Sequence, residues 1–76
     1  MVHAYILAET QPGQAVKVSR LVADVQGVRS AEITTGPWDV IAEVEADSLG
    51  ELGRVVLTKI QTVEGVTRTL TCHAAA

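Results

Sequence analysis

Seventy-six residues, 47% of them apolar and 20% charged, make one small folded domain, 1–76, rather than a disordered chain. One cysteine, Cys72, excludes an internal disulfide and a multi-cysteine zinc site. The net charge of −3, with six basic residues spread singly from Lys17 to Arg68, lacks the clustered positive charge that phosphate binding needs. No direct nucleic-acid partner is therefore expected. No apolar run approaches the ~20 residues of a membrane-spanning helix. Met1 to Tyr5 lacks the layout of a signal peptide. A cytoplasmic chain with no membrane partner is the expectation. A domain of this size buries only about 60% of the surface its unfolded chain exposes. With no disulfide or metal, self-association is the expected stabiliser.

Val2 to Glu9 is almost continuously apolar and β-prone, as a central strand is. Gln11-Pro12-Gly13 breaks it. From Gly13 to Gln26, Val18, Leu21, Val22 and Val25 recur at helical spacing, with Ala15 one turn earlier, and Gly27 ends the run. Arg29 to Thr35 alternates in part and predicts a more exposed strand. Gly36-Pro37-Trp38-Asp39 predicts a turn, because proline fixes φ, glycine permits positive φ, and aspartate bonds turn amides. Val40 to Ala46 predicts a third strand with Val40, Ala42 and Val44 on one face. Ser48 and Glu51 have capping-box spacing. Leu49, Leu52, Val56, Ile60 and Val63 then form the stripe of a second helix, which Gly50 and Gly53 weaken by roughly 1 kcal/mol each. Gly65 ends that helix, Val66 to His73 predicts the last strand, and Ala74 to Ala76 a frayed tail.

The order is β-α-β-β-α-β, and Gln26-Gly27-Val28 is echoed by Glu64-Gly65-Val66 before the last strand. Short connections and right-handed crossovers bring this order to an α+β, ferredoxin-like sandwich with sheet order 4-1-3-2. The apolar first and third strands belong at the centre, and the Ser-, Thr- and Arg-bearing second and fourth at the edges. Ala4, Ile6, Val40, Ala42, Val44, Ile33 and Leu70 are assigned to the helix side. The uncovered face then carries His3, Tyr5, Leu7, Ile41, Glu43, Thr67, Thr69 and Thr71. Tyr5, Leu7, Ile41 and Glu43 suit a homodimer surface, which would make a dimeric α+β barrel; a solvated sheet face is the alternative.

No catalytic signature is present: no serine–histidine–acid set, nucleophile elbow, nucleotide loop or metalloprotease helix. Cys72 and His73 are adjacent on a strand and point to opposite faces. His3 and His73 approach if strands one and four pair, but two histidines do not close a metal site. No cofactor is expected. Glu43 and Glu45 share a side of strand three, where paired carboxylates can do acid–base work, but they are read as exposed or interface charges. In the turn, Asp39 and free backbone amides stand beside the hydroxyls of Thr34 and Thr35. A zwitterionic amino acid needs that pairing, a carboxylate for its ammonium and donors for its carboxylate. A capped turn without ligand fits the same residues.

Gly27-Val28, Ile33 to Ile41 and Gly65 to Thr71 together resemble the effector-binding domain of the Lrp/AsnC transcription-regulator family, also called the RAM domain. The pattern runs from Tyr5 to about Cys72, and its Thr-Gly-x-x-Asp turn is its most specific part. The chain begins directly at the first strand of that domain, so the resemblance is to a stand-alone RAM module without the helix-turn-helix. It implies dimers paired through their sheets, often assembled into octameric or similar rings, with an amino-acid effector in crevices between dimers. Full-length regulators of the family are implied as further partners. Carried over by position, the implied ligand residues are Gly36 and Asp39 in the turn and Thr69 and Thr71 on the last strand, with Thr35, Pro37 and Trp38 beside them. Trp38 is bulkier than the family's usual residue and narrows the implied crevice.

The reading is a non-enzymatic, effector-binding oligomerisation module linked to regulation of amino-acid metabolism. Its alternatives are a small dimeric barrel enzyme of the monooxygenase-like type and a purely structural oligomer. The charge argument predicts no specific DNA binding by this chain at physiological salt in a gel-shift titration. Sub-micromolar affinity with a steep salt slope contradicts it.

Overall fold

Small and β-branched residues on alternate positions build four strands, β1 (Val2–Thr10), β2 (Val28–Ile33), β3 (Val40–Ala46) and β4 (Val66–His73). They form one antiparallel sheet of order β2-β3-β1-β4 in this computed structural model, which describes residues 1–74. Counted from the other edge, this is the expected 4-1-3-2. The apolar β1 and β3 occupy the centre, where a strand is paired along both edges. Of the expected tail, Ala74 donates its N–H to the His3 carbonyl at 3.0 Å, and Ala75 and Ala76 lie outside the described residues.

Both helices cover one face. The first, α1 (Ala15–Ala23), is shorter than the Gly13–Gln26 periodicity suggests, and Leu21 stays 41% exposed. Val18 and Val22 alone fill the contact line of α1, and Ser19 takes the place beside them, its hydroxyl donating to the Val16 carbonyl at 2.7 Å. The second helix opens as α2 (Leu49–Glu51), where the Ser48 hydroxyl accepts from the Glu51 amide at 3.1 Å. It widens to a π-helix over Leu52–Leu57 and closes as α3 (Thr58–Gln61). Leu52, Val56 and Ile60, four residues apart, are all buried. An α-helix drifts about 40° per four-residue step. The wider π-turn, which Gly50 and Gly53 do nothing to resist, keeps the three on one line towards the sheet. Leu49, expected in that stripe, is left exposed.

The core is nearly a 38-residue repeat. Ala4 and Ala42, Ala8 and Ala46, Val18 and Val56, and Gly27 and Gly65 are each 38 positions apart and do the same work in both halves. Gly27 and Gly65 have φ of 99° and 102° and follow the same turn, Val28 N–H to Val25 O and Val66 N–H to Val63 O. Each glycine is pressed against the valine of the opposite helix. A Cβ on Gly27 meets Val56 Cγ2 at 2.8 Å, and one on Gly65 meets Val18 Cγ2 at 2.9 Å.

Register corrects the expected faces at β4. Leu70 stands opposite Leu7 on the open face, while Thr69 and Thr71 stand opposite Ala8 and Ile6 on the helix side. The bulge between Glu9 and Thr10, where Arg68 pairs Glu9 but Val66 pairs Thr10, sets this phase. Thr67, placed on the open face with them, sits at this bulge and donates its hydroxyl to the Glu9 carbonyl at 3.0 Å. Ile33 lies opposite Val40 as expected, yet beyond the reach of the helices and 51% exposed. β2 stops at Ile33, so Thr34 and Thr35 belong to the loop.

Gly13→Ala and Gly27→Ala separate conformational strain from packing. Both positions have positive φ, but nothing lies within 4 Å of a Cβ on Gly13. Urea unfolding is expected to show a loss of about 1–2 kcal/mol for Gly13→Ala. A further loss of about 1–3 kcal/mol is expected for Gly27→Ala, from overpacking Val56. Equal losses in the two variants contradict the packing argument.

Candidate functional site

The β2–β3 connection is held from three sides. Thr34 donates its N–H to the Asp39 carbonyl at 2.8 Å and its hydroxyl to the Trp38 carbonyl at 2.6 Å. The Asp39 N–H reaches the Ala8 carbonyl at 2.9 Å. Asp39 Oδ2 accepts from the Thr10 N–H at 2.8 Å and, more loosely, from the Thr10 hydroxyl at 3.3 Å. The side chain expected to meet a ligand ammonium thus also terminates β1, at a place where Gln11-Pro12-Gly13 supplies no strand partner. Gly36, with φ of 122°, makes the sharp reversal that only a residue without Cβ takes at no steric cost. Thr35, Gly36 and Pro37 are exposed, and Trp38 and Asp39 half-buried.

β1 connects this turn to β4. Ala8, which takes the Asp39 amide, is the register partner of Thr69, so the turn and the start of β4 share one end of the sheet. Thr71 lies further along, opposite Ile6. The contact between the two regions comes from a residue the sequence reading passed over. The guanidinium of Arg68 lies 4.8 Å from the centre of the Trp38 ring and 3.7 Å from Glu9 Oε2. Next to it, the Thr69 hydroxyl accepts from Gln61 Nε2 at 3.2 Å. A hollow of about 240 Å³ runs along Gln61, Val66, Thr67, Arg68 and Thr69.

A larger cleft of about 460 Å³ opens at the other end of the sheet, beside Gly27, Arg29, Glu45, Asp47, Glu51 and Val55. None of the expected site residues lines it. Its guanidinium is paired, with Arg29 Nη1 donating to Glu45 Oε1 at 2.6 Å.

On the open face, Tyr5 stands opposite Glu43 and Leu7 opposite Ile41, which brings the four expected interface residues together, with Leu70 and Cys72 on their other flank. His3 Nε2 lies 2.6 Å from Glu43 Oε2, and its ring lies 5.7 Å from that of Tyr5. The expected approach of His3 and His73 does not occur. His73 pairs Ala4, so the two rings sit on opposite faces of the sheet. Among the described residues, no three histidine, cysteine or acidic side chains gather as metal ligands. No helix there is long and apolar enough to cross a membrane.

The domain is thus a two-layer βαββαβ sandwich with an open sheet face and a braced turn at one sheet end. Residues 3–74 match the model of the Lrp/AsnC ligand binding domain, and the chain belongs to that family. It is 32% identical over 71 residues to an uncharacterised HTH-type transcriptional regulator of Pyrococcus abyssi, covering 90% of this chain and 47% of that protein. The chain thus spans about half the length of the curated relatives it matches. TTHA0845 from Thermus thermophilus superposes with a TM-score of 0.91 at 30% identity, over 100% of this chain and 95% of that one. A regulator from Neisseria meningitidis, NMB0573, solved as a complex with L-Met, shares the fold at 17% identity. Its TM-score is 0.83, over 99% of this chain and 50% of that one.

The Asp39–Thr10 brace has a measurable consequence. Asp39→Ala leaves the half-buried Thr10 amide without its acceptor and is expected to cost about 1–3 kcal/mol in urea unfolding. Thr10→Val removes only the longer hydroxyl bond and should cost far less. A loss no larger in Asp39→Ala than in Thr10→Val shows that the brace does not stabilise the turn.

Proposed function

We propose that the chain is a non-enzymatic effector-binding and oligomerisation module for amino-acid-responsive transcriptional regulation, acting in the cytoplasm without DNA contacts of its own. One observation carries the reading. The Gly36 to Asp39 turn and the start of β4 lie at the same end of the sheet, joined through Ala8. An amino acid fits between them at a subunit boundary. Its ammonium meets Asp39, whose second carboxylate oxygen is not used by Thr10. Its carboxylate meets the backbone near Gly36 and the β4 side chains around Thr69, with Thr71 further along. Thr35, Pro37 and Trp38 wall the crevice. The L-Met complex of the Neisseria relative supports an amino acid as the ligand class.

Self-association is proposed through the open face, around Tyr5, Leu7, Ile41 and Glu43, with dimers closing into octameric or similar rings, alone or with full-length regulators. The mixed apolar surface and the small size of the domain support it. A purely structural module is the second reading. It is favoured by the Thr10 amide, which already gives Asp39 a role inside the fold.

Calorimetry against the twenty amino acids, with sedimentation on the same samples, tests the proposal. At least one amino acid is expected to bind, more than tenfold more weakly to Asp39→Ala, because loss of one partner of a buried charged contact costs about 2–5 kcal/mol. The wild type is expected to sediment as a dimer or larger, and Ile41→Arg as a smaller species. An Asp39→Ala protein with a lower melting temperature but unchanged affinity makes the turn structural. A stable 8.0 kDa monomer at micromolar concentration overturns the assembly.

A further inference from the structure

We propose that Arg68, held by Trp38, is the group that receives the effector's carboxylate, an inference that rests on the amino-acid reading above. Two of the hydroxyls at this end of the sheet give their protons away inside the chain, Thr67 to the Glu9 carbonyl at 3.0 Å and Thr10 to Asp39. Thr69 accepts from Gln61 and keeps one neutral donor. Arg68 offers a charged fork of donors beside it. Its 3.7 Å approach to Glu9 is well outside the 2.7–2.9 Å of a charge-assisted hydrogen bond. The 2.6 Å Arg29–Glu45 pair shows what a committed guanidinium looks like in this protein.

Trp38 decides how Arg68 presents itself. With its Cζ 4.8 Å from the indole centre, the guanidinium is attracted to the ring through its positive charge. The contact restricts a side chain that is otherwise free to rotate, and leaves N–H donors available to a ligand. A planar fork of donors matches a carboxylate in a way that hydroxyls do not. Arg68 also lines the 240 Å³ hollow with Thr69 and Gln61. Trp38, which by its bulk narrows the crevice, acquires a second task as the support of the carboxylate receptor. Glu9, at 3.7 Å, is the loosely held neighbour that an effector carboxylate has to displace.

The test is calorimetry on the wild type, Arg68→Met, Arg68→Lys and Trp38→Leu, with melting temperatures recorded for each. The probes are the twenty amino acids and the 2-oxo acids of alanine, valine, leucine and methionine, which keep the carboxylate and lack the ammonium. Arg68 is exposed, so Arg68→Met should melt within a few degrees of the wild type. It should nevertheless bind the amino acid at least tenfold more weakly. Arg68→Lys should recover part of that loss, because it keeps the charge without the fork, and Trp38→Leu should fall between. An amino acid that binds the wild type and Arg68→Met equally overturns the role of Arg68 and leaves the amino-acid reading intact. If no amino acid binds but an oxo acid does, at least tenfold more weakly to Arg68→Met, the amino-acid reading falls and Arg68 keeps its role. Binding by neither set of probes overturns both.

Discussion

Two valines and two glycines hold this domain together. Val18 of α1 and Val56 of the second helix each press on the backbone of the turn that follows the other helix, at Gly65 and Gly27, closely enough that a Cβ there collides. The helices therefore lie on the sheet at a depth set by backbone rather than by large side chains. A core of valine, alanine, isoleucine and one leucine, with no phenylalanine, needs such close approach, since small residues fill space only if the layers come near. The same two turns start β2 and β4, so the contact that docks the helices also fixes where both edge strands begin.

The near-repeat of 38 residues makes the two ends of the sheet comparable, and their difference is instructive. At the end where β1 stops, the β2–β3 turn folds back, takes the Ala8 carbonyl and braces the Thr10 amide through Asp39. At the end where β3 stops, the equivalent space is the larger cleft, with its arginine already paired to Glu45. A nearly repeated core thus carries two different ends, one closed by the β2–β3 turn and one left as a cleft lined by Arg29, Glu45, Asp47 and Glu51.

The chain, a member of the Lrp/AsnC ligand binding domain family, has a net charge of −3 and no run of basic residues. The open sheet face mixes Tyr5, Leu7, Ile41 and Leu70 with the His3–Glu43 pair, and carries the Arg29–Glu45 and Arg68–Glu9 pairs towards its margins.

The sequence by itself determined the element order, the sheet order and which strands are central. These follow from periodicity, from the turn chemistry of glycine and proline, and from short right-handed connections, all of them local signals. It also marked the Gly36 to Asp39 turn, because that residue combination has few conformations open to it. Phase and contact were decided only in three dimensions. The bulge that leaves Thr67 unpaired opposite Glu9 and Thr10 put Leu70 on the open face and turned Thr69 and Thr71 to the other, and the alternation along β4 does not announce it. The π-turn arose because Leu52, Val56 and Ile60 must all reach one sheet, a demand the helix does not make alone. Asp39 met Thr10, and Trp38 met Arg68, across about thirty residues of chain. Such pairs are invisible to local reading because cross-strand register, and not sequence spacing, sets the distance between them.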